Sequence, residues 1–224
     1  MDAGLKLSIV IPALNEAERI EAALQALAPL RRRGCEVIVV DGGSADRTRE
    51  LAAPLCDRIF SSARGRAVQM NCGARHACGD ALLFLHVDTF LPPDGDVLVS
   101  KALENRLWGR FDVEIEGRHR LLGVVACAMN LRSRLSGIAT GDQAIFVRRE
   151  AFRGFPEIPL MEDVAFSASM SERPACLRQK ALTSGRRWER SGVLRTVLLM
   201  WLLRFLYALG VPPARLARDY ADRR

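Results

Sequence analysis

The stretch Ala81–Phe90, ALLFLHVDTF, decides the fold prediction. Its five successive apolar residues predict a short strand buried on both faces, and the run stops at His86, Val87 and Asp88. In open α/β sheets, ligands bind just outside the carboxyl ends of the strands, so Asp88 is a candidate for holding a cation or a ligand hydroxyl. A turn that simply begins with Asp is the competing interpretation.

Two upstream stretches repeat this pattern. Leu7–Pro12, LSIVIP, and Val37–Val40 are β-branched runs, and each is followed by a helical pattern. Strands that alternate with helices over short connections predict a parallel sheet with right-handed crossovers.

Polar side chains follow each of the three predicted strands. Asn15 and Glu16 come after the first strand, Asp41 after the second and Asp88 after the third. Because the carboxyl ends of parallel strands line one edge, we expect these residues to meet there. For Asn15, a capping box with Glu18 is the structural alternative.

Composition limits the class of protein. With 224 residues, 49% of them hydrophobic, the chain suits one globular domain, or one domain with an extension. Its six cysteines form no C-x-x-C pair, which favours free thiols in a reducing cytoplasm, and the N-terminus lacks the pattern of a secretory signal. We therefore predict a cytoplasmic protein.

The net charge of +7 suits nucleic acid, anionic lipid or a phosphate-bearing small molecule. The usual glycine-rich motifs of dinucleotide and NTPase sites are absent from the sequence. A low aromatic content of 6% and the lack of a known module argue against nucleic acid. Arg64 and Arg66 lie close to the start of a predicted helix and suit a diphosphate, although two solvated surface arginines explain the same pattern.

Three later stretches predict a strand and two helices. Gly109–Glu116 alternates apolar with polar residues, as a half-exposed strand does, and Arg120–Leu135 is interrupted too often to span a membrane. Val193–Leu209 is apolar almost all round, and Pro212 and Pro213 end it. This helix fits a buried or dimer-forming helix, an interfacial membrane anchor aided by the basic tail, or a true span.

Six blocks, taken in order, resemble glycosyltransferase family 2: IPALNEAERI (11–20), VIVVDGGSADRT (37–48), ARGRAVQMN (63–71), LLFLHVDT (82–89), GDQAIFVRREAF (141–152) and MEDV (161–164). LHVDT, GDQAIFVRR and a late RRW are similar to the small bacterial arsenosugar-biosynthesis-type branch of that family. The resemblance covers about Leu7–Trp188. It implies the GT-A fold, an α/β, Rossmann-like and mostly parallel sheet flanked by helices. We assign 1–190 to this domain and 191–224 to a C-terminal helical extension.

The resemblance implies a site for a nucleotide-sugar donor. Its family places a carboxylate after each of the first two strands against the base and ribose, and charge-assisted hydrogen bonds suit that role. The implied donor-binding residues are Pro12, Asn15, Glu16, Asp41, Gly43, Arg64, Arg66, His86 and Val87.

The family's D-x-D motif binds a divalent cation that bridges the two phosphates. Here His86, Val87 and Asp88 take its place, so the first Asp is missing and Asp88 matches the direct metal ligand. Mg²⁺ or Mn²⁺ would accept this carboxylate together with phosphate oxygens and water. His86 could ligate Mn²⁺, hydrogen-bond the ribose or pack at the strand end.

The pair Glu162 and Asp163 matches the family's catalytic carboxylates. Inversion at the anomeric carbon needs a base on the face opposite the leaving group, and Asp163 matches that base. Acidic residues also favour a helix start, and both roles are compatible.

The resemblance also implies acceptor and sugar contacts. The candidates are Gly141, Asp142, Gln143, Arg187 and Trp188. A turn before an edge strand explains the first three equally well, and a Trp packed beneath an arginine explains the last two. No Gln matches the Q-x-x-R-W motif of processive relatives, so we predict a non-processive enzyme.

Together these residues predict an inverting, metal-assisted glycosyltransferase that moves a sugar, from UDP-sugar in preference, to the hydroxyl of a small molecule or lipid. The alternative is a non-catalytic protein of the same fold that binds a nucleotide-sugar or a membrane surface. A nucleotidyltransferase would need a glycine-rich, lysine-bearing loop after the first strand, which IPALNE lacks. Peripheral membrane contact or a homodimer through the C-terminal helix remains open.

Overall fold

A computed structural model describes residues 5–221, except for the side chains at positions 187, 219 and 221. The strands are β1 (Leu7–Ala13), β2 (Glu36–Asp41), β3 (Arg58–Ser61), β4 (Ala81–Phe84), β5 (Thr89–Phe90), β6 (Trp108–Glu116), β7 (Phe146–Arg148) and β8 (Ala175–Ser184). The helices are α1 (Ile20–Ala26), α2 (Ala28–Arg32), α3 (Thr48–Ala52), α4 (Arg66–His76), α5 (Gly95–Leu103), α6 (Leu121–Ser136), α7 (Glu162–Ser169), α8 (Arg186–Ser191), α9 (Val193–Ala208) and α10 (Pro213–Ala221).

These strands form one sheet in the order β3-β2-β1-β4-β7-β6-β8-β5. The first four are parallel, as the sequence predicted. β7 is antiparallel to both β4 and β6, β8 is parallel to β6, and β5 is antiparallel to β8. The sheet is therefore parallel in its N-terminal half and mixed beyond it. The sequence did not reveal that β7 runs antiparallel to its neighbours, because a strand of three residues carries too short a pattern to indicate its place in the sheet.

The continuous apolar strands are explained by burial on both faces of the sheet. Ile9 and Val37 pack into a core on one face, whereas Val10, Ile38 and Phe84 pack into a second core on the other face. A strand covered on both sides has no position that favours a polar residue. The six cysteines are free, as predicted.

Helix α4 packs against the sheet at a close approach that requires glycine. A Cβ added to Gly73 would lie 2.3 Å from Val10 Cγ1 and 3.1 Å from Val40 Cγ2. Both neighbours are completely buried β-branched residues, so neither can move aside easily.

We expect Gly73→Ala to lower the free energy of unfolding by about 1–3 kcal/mol, because it overpacks this contact. Urea unfolding measures the change. Gly123→Ala on α6 is the matched control, since none of the described atoms lies within 4 Å of its added Cβ. The control should raise the stability by up to about 1 kcal/mol through helix propensity alone. Equal effects of the two substitutions would contradict the packing explanation.

The predicted half-exposed strand is only partly correct. β6 begins at Trp108, and Glu114 and Glu116 are exposed as expected. Arg110, by contrast, is completely buried and forms an ion pair with Asp112. Arg134 of α6 binds the same carboxylate, with 2.7 Å between Nη1 and Oδ1. The first half of the polar face is therefore covered by α6.

The C-terminal helices pack against the segment that contains the Glu-Asp pair. Leu203 of α9 and Leu216 of α10 are buried with Leu160 and Met161 in one apolar cluster. Among residues 5–221, no helix combines the length and the apolar character needed to cross a bilayer.

Candidate active site

The loops after β1 and β2 are hydrogen-bonded to each other. The backbone N–H of Asn15 donates to Ser44 Oγ (2.9 Å), and Asn15 Oδ1 accepts from the backbone N–H of Ala45 (2.9 Å). The structural alternative, a capping box of Asn15 with Glu18, is wrong, because α1 begins at Ile20 without a side-chain cap. Asn15 instead joins two loops at the edge of the sheet.

Asp41 shapes the second loop. It is only 4% exposed, and its carboxylate accepts hydrogen bonds from the backbone N–H groups of Gly43 (3.1 Å) and Ser44 (3.1 Å). Gly43 has φ +86°, a left-handed conformation that favours glycine.

Gln69 of α4 fastens the ends of the two strands. Its amide nitrogen donates to the carbonyls of Ala13 (2.8 Å) and Val40 (2.9 Å). A side chain on Gly42 would lie 3.0 Å from this amide, so glycine leaves room for it.

Glu16 lies beside these loops, and burial raises the pKa of its carboxyl group. The guanidinium of Arg19 opposes that rise, whereas the negative charge of Asp88 contributes to raising the pKa of Glu16. Pro12 lies beyond Val10, the last residue of β1 that pairs with β4, so its missing N–H removes no bond between these strands.

A cavity of about 470 Å³ lies where β4 and β8 end and α7 begins. A volume of this size suits a small-molecule site. Its charged lining consists of Asp88, Asp142, Glu162, Asp163, Arg66, Arg132 and Arg204. The backbone N–H of Ser184 donates to the carbonyl of Asp88 (3.2 Å), which joins the end of β8 to the Asp88 turn. Asp88 and the Glu-Asp pair, 74 and 75 positions apart, therefore share one cavity.

Asp163 is held by backbone hydrogen bonds. Its Oδ2 accepts from the N–H of Gly141 (2.9 Å), and its Oδ1 accepts from the N–H of Val164 (2.7 Å). It occupies the first turn of α7, which begins at Glu162 as predicted. The carboxylate is therefore fixed in orientation between the helix start and the Gly141 turn.

Glu162 is only 3% exposed and forms an ion pair with Arg66, with 2.9 Å between Oε1 and Nε. Burial raises the pKa of Glu162, with Arg66 opposing the rise and Asp163 adding to it. Burial would lower the pKa of Arg66, but Glu162, Asp163, Asp142 and Asp88 outweigh it and raise that pKa. Arg66 is therefore a firmly charged cation among four carboxylates.

His86 packs against the turn that supports Asp163. A Cβ on Gly141 would lie 2.4 Å from His86 Cε1, and His86 Nδ1 lies 3.4 Å from Asp142 Oδ1. Glycine at position 141 therefore allows the imidazole ring to approach the backbone.

Positive φ angles at non-glycine residues concentrate at these loops. Among the described residues, Asn15 (+54°), Ala144 (+46°) and Met161 (+70°) have them. Asn15 follows β1, Ala144 follows the Gly141 turn, and Met161 directly precedes Glu162. Such strained conformations cluster at functional sites because the surrounding structure must enforce them.

Several predicted residues lie elsewhere. Arg64 is exposed and is absent from the described cavity lining, and the side chain of Val87 is buried in the core. Gln143 is completely buried and accepts from the N–H of Thr140 (3.2 Å), so it holds the turn and cannot reach a sugar in this conformation. The side chain of Arg187 lies outside the described part of the chain.

Trp188 lies between the cavity and an apolar cluster. It lines the cavity, and it also packs against the apolar cluster that contains Val113, Leu122 and Val193.

The sequence interpretation missed two arginines of the cavity. Arg132 lies on α6 and Arg204 on α9, and both helices are otherwise mostly apolar where they face the cavity. A charged residue within an apolar helix was the available signal. The sequence alone did not show that the two arginines face one cavity, because this depends on the packing of α6 near α9.

The carboxylate of Asp88 suits a divalent cation that takes its other ligands from outside the chain. In the described part of the chain, no group of three His, Cys, Asp or Glu residues is close enough to hold a metal alone. Mg²⁺ is commonly bound by one or two carboxylates together with substrate phosphates, and Asp88 on the cavity wall can supply such a ligand.

Comparison with known families decides the classification. The model of the family described as "Glycosyl transferase family 2" matches residues 8–119, half of the chain. The chain belongs to glycosyltransferase family 2. The matched part of this family 2 chain includes the β1, β2 and β4 loops and Asp88.

An uncharacterized glycosyltransferase of Mycobacterium tuberculosis is 31% identical over 151 residues, which cover 61% of this chain and 56% of the relative. The chain thus spans little more than half the length of that relative. The narrower resemblance to the arsenosugar-type branch stays a prediction.

Solved structures establish the fold of this family 2 chain as GT-A. Staphylococcus aureus TarS in complex with UDP-GlcNAc superposes with a TM-score of 0.65 at 18% identity, covering 80% of this chain and 58% of TarS. Glucosyl-3-phosphoglycerate synthase of M. tuberculosis, in complex with Mn²⁺, UDP and glucosyl-3-phosphoglycerate, superposes with a TM-score of 0.65 at 20% identity, covering 94% of this chain and 82% of the synthase.

Proposed function

We propose that this chain is an inverting glycosyltransferase that moves a sugar from a nucleotide-diphospho-sugar, UDP-sugar in preference, to an acceptor hydroxyl. The observation that carries the proposal is the shared cavity of Asp88, Asp163 and Arg66. It brings a cation ligand, a base and a fixed positive charge together. Membership of family 2 and neighbours bound to UDP-GlcNAc or UDP support the donor class.

In this proposal Asp163 is the general base. It accepts the proton of the acceptor hydroxyl as that oxygen forms a bond to the anomeric carbon. The bond from this carbon to the diphosphate oxygen breaks, and the nucleotide diphosphate leaves with the electron pair. Attack opposite the leaving group inverts the configuration. The hydrogen bonds from Gly141 and Val164 orient the carboxylate for this task.

Arg66 offsets the negative charge that develops on the leaving diphosphate. Its pairing with buried Glu162 keeps it charged and in place. Asp88 would hold a divalent cation, Mn²⁺ or Mg²⁺, which stabilises a diphosphate as a Lewis acid when bound. The loops at Asn15, Glu16 and Asp41 are the proposed seat of the nucleoside.

A thermal-shift panel of UDP-, GDP-, CDP- and dTDP-sugars, with Mn²⁺ or with EDTA, tests the donor and metal assignments. We expect UDP-sugars with Mn²⁺ to raise the melting temperature by about 5 °C or more near saturation. Asp88→Asn should remove the part of the shift that depends on Mn²⁺. The exposed Asp94→Asn should keep the full shift. A shift unaffected by EDTA and by Asp88→Asn would contradict the metal assignment.

A nucleotide-sugar-binding protein without catalysis is the second candidate. His86 in place of the first Asp of the D-x-D pattern favours it. Substitution of Asp163 separates the two candidates.

A further inference from the structure

Two walls of the cavity are apolar and belong to α6 and α9. Val125, Ala128 and Met129 of α6 line it, together with Val197 and Met200 of α9. A sugar nucleotide offers few apolar groups to such walls. This space, which we name the apolar arm, therefore needs another occupant.

The mouth of the apolar arm is also apolar. Val124, Leu194 and Trp201 line the cavity, yet they are 63%, 67% and 68% exposed. Of the ten exposed large hydrophobic residues within the described chain, nine lie on α6, on α9 or directly after α9, and Val97 on α5 is the other one. Exposed apolar surface concentrated on the two helices that form the cavity walls marks a site of interaction.

Arg132 and Arg204 line the same cavity, where the charge of Asp163 acts on both, but neither forms a salt bridge within the described chain. Nε and Nη2 of Arg132 are buried and have no hydrogen-bond partner among the residues that the structure describes. Burial and the nearby charge of Arg204 lower the pKa of Arg132 to about 10. Two partly buried guanidinium groups that repel each other are costly unless an anion occupies the space between them.

This arginine pair lies on the side of Asp163. The charge of Asp163 acts on Arg132 and on Arg204. It also acts on Arg66, together with the charge of Asp88. The arginine pair therefore neighbours the proposed base, and Arg66, held by Glu162, neighbours both that base and Asp88.

We propose that the acceptor is an anionic lipid, whose chain fills the apolar arm and whose acidic group binds Arg132 and Arg204. This inference rests on the proposed function and names its acceptor class. A hydroxyl next to the acidic group then lies close to Asp163 for deprotonation.

The surface around the mouth favours a lipid that is taken from a membrane. Arg118 and Arg120 precede α6, Arg186 and Arg190 lie in α8 before α9, and all four are exposed. The segment before α6 lies next to α8, because the backbone N–H of Arg118 donates a hydrogen bond to the carboxylate of Glu189 in α8. Basic residues beside an exposed apolar face suit the anionic surface of a bilayer.

Probe binding tests the acceptor class without requiring turnover. The probes are a dansyl-labelled long-chain carboxylate and the alcohol of the same chain length. We expect the carboxylate to bind about tenfold or more tightly, which is the effect of one charge-assisted hydrogen bond. Arg132→Ala and Arg204→Ala should remove this preference, and Ala128→Phe should weaken both probes by filling the arm. Exposed Arg178→Ala is the matched control.

Equal binding of the two probes to the unmodified chain would overturn the proposal, as would unchanged binding after Ala128→Phe. The donor-induced thermal shift, measured on the same samples, separates the outcomes. If the donor does not raise the melting temperature of the unmodified chain, the proposed function is contradicted. If the donor does raise it but the carboxylate probe is not preferred, only the lipid acceptor is contradicted.

Vesicle sedimentation tests the membrane source. We expect binding to vesicles that contain phosphatidylglycerol and little binding to phosphatidylcholine alone. Leu198→Asp should abolish it, because Leu198 is 67% exposed on α9, whereas Val97→Asp on α5 should not. Light scattering runs alongside: a stable dimer that Leu198→Asp dissociates would overturn the lipid assignment in favour of a second copy.

Discussion

Replacing Asp163 with Asn will reduce glycosyl transfer by about 10²- to 10⁴-fold, the usual contribution of a positioned general base. The amide has nearly the same shape, so the donor-induced thermal shift should stay close to that of the unmodified chain. Initial rates at saturating donor and the thermal shift are the two measurements.

The control for Asp163→Asn is Glu104→Gln, which neutralises an exposed carboxylate away from the described cavity lining. Its rate should be unchanged. The amide introduced by Asp163→Asn has only one oxygen near the two donors and cannot accept from both Gly141 and Val164 as the carboxylate does, so the melting temperature without donor must be compared as well. Transfer that persists within about twofold would remove Asp163 from the role of base, as the range above starts at about 10².

Replacing Asp112 with Asn will lower the free energy of unfolding by about 3–5 kcal/mol, because it leaves the buried charge of Arg110 without a counter-ion. Asp112 lies between Arg110, which is 0% exposed, and Arg134. Urea unfolding at neutral pH gives the change. Glu114→Gln is the matched control on the same strand, where the exposed pair with Lys180 contributes about 1 kcal/mol or less.

The same carboxylate makes stability depend on pH. Burial would raise the pKa of Asp112, but Arg134 and Arg110 outweigh it and hold that pKa below its ordinary value. The stabilisation is therefore fully present above the unfolded-state pKa and is lost as the pH falls through the folded-state value. In Asp112→Asn this acid-dependent loss should be smaller. An equally steep loss in the variant would mean that other carboxylates cause it.

The first half of the sheet could be predicted because burial on both faces leaves a pattern in the strands themselves. Val37–Val40 admits no polar residue, and short connections fix the crossovers. Asp41 and Asp88 follow parallel strands and so lie at the same edge of the sheet, although only Asp88 belongs to the described cavity lining. The helix start at Glu162 also follows from local chemistry, since acidic residues favour the first turn.

The remaining features depend on contacts between distant segments. Arg110 has the alternation of a surface position, but α6 covers it and supplies Arg134. Asn15 has the spacing of a helix cap, yet its hydrogen bonds go to the β2 loop. Arg132 of α6 and Arg204 of α9 become candidate site residues only because the two helices line one cavity.

The contacts of Gln69 indicate which part of the cavity tolerates substitution and which part does not. Arg66 stands one turn before Gln69 on α4, and Gln69 is anchored to two strand ends. Displacing Arg66 from the proposed diphosphate side would therefore disturb the sheet itself. The walls of the apolar arm, by contrast, are side chains of α6 and α9 that face the cavity. Natural variation and directed evolution should therefore alter acceptor choice through these two helices long before they alter the leaving group.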